Sequence, residues 1–367
     1  MAVARRRIDR IAATVTARPV FTGAAELSPT PCQSPSRSGR SFAEMEGEAI
    51  ARASAWRVCM YIAGERGVPL ADRAIVERAF QRGALEVTWV SEQEEIPADT
   101  NVIVTTGSPV TKDELAKAPK VSLIAVAWSG VDHVDMAACR ARGISVVNVP
   151  GYSTDATAEL AVVLVLSHLR RLPSTFKVIK EGEWASPPQE DLEGKTVGIL
   201  GTGSLGLRCA QVFNAFKVKS ILGYALTQNQ TFTAAGGSYT ESLAALFLES
   251  DIIIICLPLS ESTRGLVSSR LMELLRPDSL LVNIGRGSVV DETSLVKFLK
   301  ERRFRAALDV FTSEPLAAED PLLGVPEDVL LMTPHVGYKT NASLEKRFDI
   351  TVKNILAFLA GQAMNVV

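Results

Sequence analysis

Lys195-Thr196-Val197-Gly198-Ile199-Leu200-Gly201-Thr202-Gly203-Ser204-Leu205-Gly206 is the stretch from which the rest of the chain is read. Lys195–Leu200 has the apolar centre of a buried strand. Three glycines follow at once, and Leu207–Phe216 then predicts a helix. A GxGxxG pattern alone is weak, but a strand before it and a helix after it give each glycine a task. Gly201 permits the tight turn, Gly203 lets backbone approach a pyrophosphate, and Gly206 lets the helix lie against the strand. The helix start offers free N–H groups and a positive dipole end to phosphate. Gly201, Gly203, Ser204, Leu205 and Gly206 are therefore candidate dinucleotide-binding residues.

About twenty residues further on, such a loop usually has an acid for the ribose 2′-hydroxyl. The segment Ile221–Gln230 contains neither an acid nor an arginine, and Ala225 stands about where the acid is expected. Thr227, Gln228 and Asn229 offer only neutral hydrogen-bonding groups. NAD and NADP both stay open as the coenzyme.

Outward from the loop, strands and helices alternate, which predicts parallel α/β sheets. Upstream, Arg57–Ile62, Leu85–Val90, Val102–Thr105, Val121–Ala127 and Gly143–Asn148 read as strands, with a helix over Ala71–Arg82. Thr154 or Asp155 is the expected N-cap of a long apolar helix, Ala156 to about Arg170, which Arg170, Arg171 and Pro173 end. A second block runs from Lys195 to about Gly337. The last helix, Ala342–Leu359, has apolar residues at helical spacing and is expected to return to the first block. This divides the chain into residues 55–154 with 338–367, residues 155–337, and an extension, 1–54.

The extension is rich in arginine and serine and poor in acids before Glu44. That is the composition of an organelle transit peptide; a disordered tail is the alternative. The location is thus mitochondrion or plastid if the extension is a transit peptide, and cytoplasm otherwise. The formal net charge of −2 gives no chain-wide attraction to nucleic acid or an anionic membrane. No apolar run is long enough to span a bilayer. Five scattered cysteines without a CxxC pair argue against a disulfide framework or a metal site.

Three further segments carry chemistry: Val282–Glu292 with Arg286, Ala306–Leu316 with Asp309 and Glu314, and Leu331–Thr340 with His335. With the glycine loop, Gly130-Val131-Asp132-His133-Val134-Asp135, Asn148–Thr154 and Leu257-Pro258-Leu259, they resemble the D-isomer-specific 2-hydroxyacid dehydrogenases, from about residue 57 to 367. The resemblance implies two doubly wound parallel-sheet domains: a Rossmann dinucleotide-binding domain (155–337) and a flavodoxin-like substrate domain. It implies that Arg286, Glu314 and His335 are catalytic, and that Arg286 and His335 also bind substrate. Thr157, Leu257, Pro258 and Asp309 fall on the cofactor side, and Ser129 and Gly130 where backbone N–H groups receive the substrate carboxylate. Thr157 is itself a departure, since the family usually has a small apolar residue there. The resemblance further implies NAD or NADP, a small 2-oxo/2-hydroxy acid as partner, with glyoxylate and hydroxypyruvate favoured, and a homodimer.

The residue chemistry points the same way. Reducing a 2-oxo acid takes a hydride at C2 and a proton at the carbonyl oxygen. Histidine suits proton donation because its ordinary pKa of about 6.5 lies near working pH. A carboxylate such as Glu314 favours the imidazolium and orients the ring. Arg286 offers a fixed fork of donors for a carboxylate or an oxyanion. His133, in a turn, and His168, at a helix end, read as structural. A dinucleotide-sensing corepressor of the same fold is the alternative function, and the complete Arg286/Glu314/His335 set weighs against it. A formate dehydrogenase is disfavoured because that group lacks the glutamate partner of its histidine.

Overall fold

Ile252-Ile253-Ile254-Ile255 is apolar at every position, as suits a parallel strand covered on both faces, and all four residues are buried. The computed structural model describes residues 56–62, 70–83, 85–91, 96–185 and 187–367. The extension, and with it the transit-peptide reading, lies outside the described residues. Among those described, twelve strands form two wholly parallel sheets.

The first sheet contains β1 (Val58–Ile62), β2 (Val87–Ser91), β3 (Val102–Thr105), β4 (Leu123–Val126) and β5 (Ser145–Val147) in the order β2-β1-β3-β4-β5. This is the flavodoxin-like order. The second contains β6 (Thr196–Leu200), β7 (Ser220–Tyr224), β8 (Gly237–Tyr239), β9 (Ile252–Ile255), β10 (Leu280–Asn283), β11 (Arg305–Leu308) and β12 (Leu330–Met332). Its order is β12-β11-β10-β9-β6-β7-β8. Counted from β6, this is the dinucleotide-binding order with one more strand at its far edge. The order reverses between β6 and β9, so the glycine loop leaves the sheet at the switch point, where such sheets bind ligands.

Five helices position the site: α1 (Leu70–Arg82), α2 (Thr154–Leu169), α3 (Leu172–Lys180), α4 (Ser204–Asn214) and α5 (Asn341–Leu359). As the spacing predicted, α5 returns to the first sheet. Its Phe348, Val352, Ile355 and Leu356 share a core with Met60, Val76 and Phe80.

Three sequence expectations about helix ends need correction. Ser153, not Thr154 or Asp155, precedes α2, with no side-chain cap. Asp155 Oδ1 instead lies 2.7 Å from Arg208 Nε on α4, so its charge is spent between helices. Pro173 does not close α2. Arg171 turns the chain in the left-handed region (φ 47°), and Pro173 sits in the first turn of α3, where a missing N–H costs no hydrogen bond. Finally, α4 starts at Ser204 rather than Leu207, which puts Gly206 inside its first turn. No helix among the described residues is long and apolar enough to cross a membrane.

Candidate active site

The glycine loop is shaped by close backbone approaches. Gly201 has φ 96°, a conformation that favours glycine, and its N–H donates to Tyr224 O at 2.9 Å. A Cβ at Gly206 would run into Gly201 O, so only glycine lets α4 press on the turn. Gly203 is the opposite case: a Cβ there would meet nothing within 4 Å. The space in front of it is open, and no side chain caps α4. Uncapped amides facing open space suit the pyrophosphate of a dinucleotide. Ser204 and Leu205 lie in the same first turn. Leu257 closes the loop from β9, its Cδ2 2.8 Å from where a Gly201 Cβ would stand, and its backbone passes Gly285 equally closely. Pro258 follows at the surface and is tied down by the Thr263 hydroxyl, which donates to its carbonyl at 2.7 Å.

The fold also pairs two thiols that look unrelated in the sequence. Cys209 on α4 and Cys256 after β9 are hydrogen-bonded, and that contact together with burial raises the Cys256 thiol well above its usual range. A thiol held protonated in this way is a packing group and a poor nucleophile.

Arg286, Glu314 and His335 line one cavity of about 370 Å³, together with Trp128, Gly130, Asp132, His133, Leu259 and Phe311. His335 Nδ1 lies 2.9 Å from Glu314 Oε2. The other glutamate oxygen, Oε1, accepts the Phe311 N–H at 2.9 Å. The carboxylate is therefore fixed by backbone on one side and fixes the imidazole on the other. With Nδ1 donating to Glu314, Nε2 is left to carry an exchangeable proton. Trp128 and Tyr338 stand against the ring, with centroids 5.9 and 5.8 Å away.

Arg286 leaves β10 between Gly285 and Gly287. A Cβ at Gly287 would collide with the Phe311 carbonyl, and one at Gly130 with Arg286 Nη2. The guanidinium thus passes directly over Gly130, which brings the arginine and the Ser129–Gly130 backbone together from opposite sheets. Ser129 O accepts from Asn148 Nδ2 at 2.7 Å, so the side chain of the Asn148–Thr154 segment braces this turn.

Asp309 lies behind the loop that presents His335. It is 1% exposed, and its carboxylate accepts from Thr333 Oγ1 at 2.6 Å, Val336 N at 2.8 Å and Gly337 N at 2.9 Å. Thr157 on α2 reaches the same loop and donates to Gly337 O at 3.1 Å. The hydroxyl noted as a departure thus ties the helix between the sheets to the His335 loop. A side chain at Gly337 would press on both Asp309 and Thr157.

Three lining residues were not singled out for chemistry in the sequence. Asp132 Oδ2 lies 3.3 Å from Arg286 Nε and supplies the arginine's carboxylate partner. Trp128 forms a wall. His133, read as purely structural, faces the cavity, and burial pushes its imidazole down to about 4, with Arg286 adding to this and Asp132 opposing it. It is neutral near pH 7. Asp132 stands in the Gly130–Asp135 segment quoted for the resemblance, but only the fold gives it a role, by bringing Arg286 beside it. His168 does act structurally: Nε2 lies 2.6 Å from Ala306 O and must be the donor.

Residues 162–337 match the family model for the D-isomer specific 2-hydroxyacid dehydrogenase NAD binding domain. A glyoxylate/hydroxypyruvate reductase of Arabidopsis thaliana is 32% identical over 263 residues, 70% of this chain and 79% of that protein. The chain belongs to the D-isomer-specific 2-hydroxyacid dehydrogenases. A glyoxylate reductase of Thermococcus litoralis is 35% identical over 69% of this chain and 78% of its own. Among solved structures, a D-lactate dehydrogenase from Aquifex aeolicus complexed with NAD and lactic acid superposes with a TM-score of 0.75 at 26% identity, covering 83% of this chain and 96% of that one. An NADPH-dependent glyoxylate/hydroxypyruvate reductase from Sinorhizobium meliloti, in complex with NADP and malonate, gives 0.73 at 28% identity, covering 85% and 96%. The dehydrogenase described here is accordingly an oxidoreductase that uses NAD or NADP to interconvert a 2-oxo acid and its D-2-hydroxy acid, on two parallel-sheet α/β domains.

Proposed function

We propose that this dehydrogenase reduces glyoxylate and hydroxypyruvate, with His335 as proton donor, Arg286 as anion anchor and Glu314 as the group that orients His335. The observation that carries the reading is the 2.9 Å contact between His335 and Glu314 in a cavity that Arg286 also enters. The relatives named above as glyoxylate and hydroxypyruvate reductases support the choice of substrate. Bound NADH or NADPH supplies the hydride to C2 of the substrate. The chain's own groups do the rest. The Ser129 and Gly130 amides receive the substrate carboxylate, and the Arg286 fork holds it and the carbonyl oxygen. His335 Nε2 delivers its proton to that oxygen as charge develops there. Glu314 keeps the ring in the tautomer and orientation this needs. Asp309 and Thr157 hold the loop that carries His335 beside the cofactor.

In this reading residues 155–337 bind the dinucleotide, and residues 55–154 with 338–367 bind substrate. The active form is a homodimer, a reading supported by large apolar side chains on and just after α2 and α3 that a monomer leaves in water: Val163, Phe176 and Ile179 are more than half exposed, and Trp184 is 90% exposed. The arginine- and serine-rich, acid-poor composition of residues 1–54 supports an organelle transit peptide in this reading. A matrix of NADH and NADPH against a panel of 2-oxo acids tests the proposed activity. Fastest turnover on glyoxylate or hydroxypyruvate is expected; oxidation with other 2-oxo acids only would overturn the substrate assignment.

A further inference from the structure

The end of β7 is where a dinucleotide-binding sheet distinguishes its two coenzymes. A carboxylate there holds the ribose 2′-hydroxyl of NADH, and a nearby arginine accommodates the 2′-phosphate of NADPH. In this chain the five residues after Tyr224 are Ala225, Leu226, Thr227, Gln228 and Asn229, with no charge among them. Leu226 is 89% exposed, and Thr227 and Gln228 are exposed beside it.

Asn229 is committed elsewhere. Its Oδ1 accepts from Thr231 N at 3.0 Å, its Nδ2 donates to Thr202 O at 3.2 Å, and its N–H donates to the Tyr239 hydroxyl at 2.7 Å. The same Tyr239 hydroxyl lies 2.7 Å from Thr202 Oγ1. Tyr239, on β8, thus ties the segment after β7 to the glycine loop. The two polar side chains nearest that tie, Asn229 and Thr202, are held within it.

We propose that the adenosine 2′-position meets only water and neutral groups, so that the dehydrogenase takes NADH and NADPH with little discrimination, and that Tyr239 is the positioning residue that keeps the subsite in this form. Without an acid, a 2′-phosphate is not repelled and a 2′-hydroxyl loses its strongest acceptor. Without an arginine, the phosphate gains no fixed partner and stays hydrated. The two losses act in opposite directions on the preference. This inference rests on the dinucleotide reading of the glycine loop.

Calorimetric titration of the full chain with NADH and with NADPH reads this directly, without turnover. The two dissociation constants are expected within tenfold of each other, and a wider gap in either direction overturns the proposal. Ala225→Asp should move the ratio at least tenfold toward NADH, and Gln228→Arg should move it toward NADPH. Tyr239→Phe should weaken both coenzymes by the same factor and leave the ratio alone. An unchanged ratio in Ala225→Asp would also overturn the proposal, since residue 225 would then lie away from the 2′-position. Binding of neither coenzyme is a different outcome: it rejects the dinucleotide reading itself and is visible before any ratio is formed. Should Ala225→Asp or Gln228→Arg fail to fold, the wild-type ratio still decides the coenzyme claim, and unchanged affinities in Tyr239→Phe would overturn the positioning role of Tyr239.

Discussion

His335 has φ 51°, a conformation uncommon for a residue with a side chain, and the Asp309 carboxylate fixes the loop around it with three hydrogen bonds. The ring is then set by Glu314, whose other oxygen is fixed by Phe311 N–H. Glu314→Gln keeps the shape but removes the charged acceptor of His335 Nδ1. If His335 is the proton donor proposed above, kcat for ketone reduction should fall at least about tenfold while coenzyme affinity stays near wild type. Steady-state kinetics with coenzyme titrations check this, and an unchanged kcat would place Glu314 outside the proton step. The residues themselves were legible in the sequence because histidine, arginine and glutamate stand in segments of recognisable pattern. Asp132 and Trp128 were not, because their meaning depends on contacts with Arg286 and His335, which lie more than 150 positions away.

At the scale of elements, the glycine loop separates two effects that sequence alone merges. A Cβ at Gly206 collides with Gly201 O, whereas one at Gly203 has free space around it. Gly203 has φ −67°, which alanine adopts without strain. Gly203→Ala should therefore cost no more than the roughly 1 kcal/mol of losing a glycine N-cap, while weakening dinucleotide binding at least tenfold if the pyrophosphate lies where proposed. Gly206→Ala should lower both stability and affinity, and stability by more. Melting curves with and without coenzyme distinguish the two, and a stability loss in Gly203→Ala as large as in Gly206→Ala would contradict the geometry. Strands were read well from the sequence because parallel strands buried on both faces appear as unbroken apolar runs. Helix ends were read less well. Asp155 looked like a cap until Arg208 proved to be its partner, and a terminating proline and a helix-starting proline are the same letter until Arg171 shows the turn.

At the scale of the whole molecule, a buried histidine, His168, and a partly buried one, His133, link stability to pH. Burial is the largest cause in both, and pushes His133 and His168 down to about 4, against about 6.5 when unfolded. The unfolded chain therefore binds more protons between those values, and stability falls as pH drops from about 6.5 toward 4. The slope should approach roughly 1 kcal/mol per pH unit for each histidine. His168→Gln should flatten it, as measured by denaturant midpoints across that range; an unaltered slope would show that His168 titrates as in the unfolded chain. The larger consequence of the architecture is that Arg286, Glu314 and His335 come from loops of one sheet, while Gly130 and Asp132 face them from the other, with the glycine loop at the switch point behind. The most direct test of that convergence is His335→Ala, assayed for hydroxypyruvate reduction alongside its coenzyme dissociation constants. Loss of at least about a hundredfold in kcat with coenzyme affinity within threefold of wild type is expected. Retained turnover, or turnover and binding lost together, would contradict a catalytic role for His335.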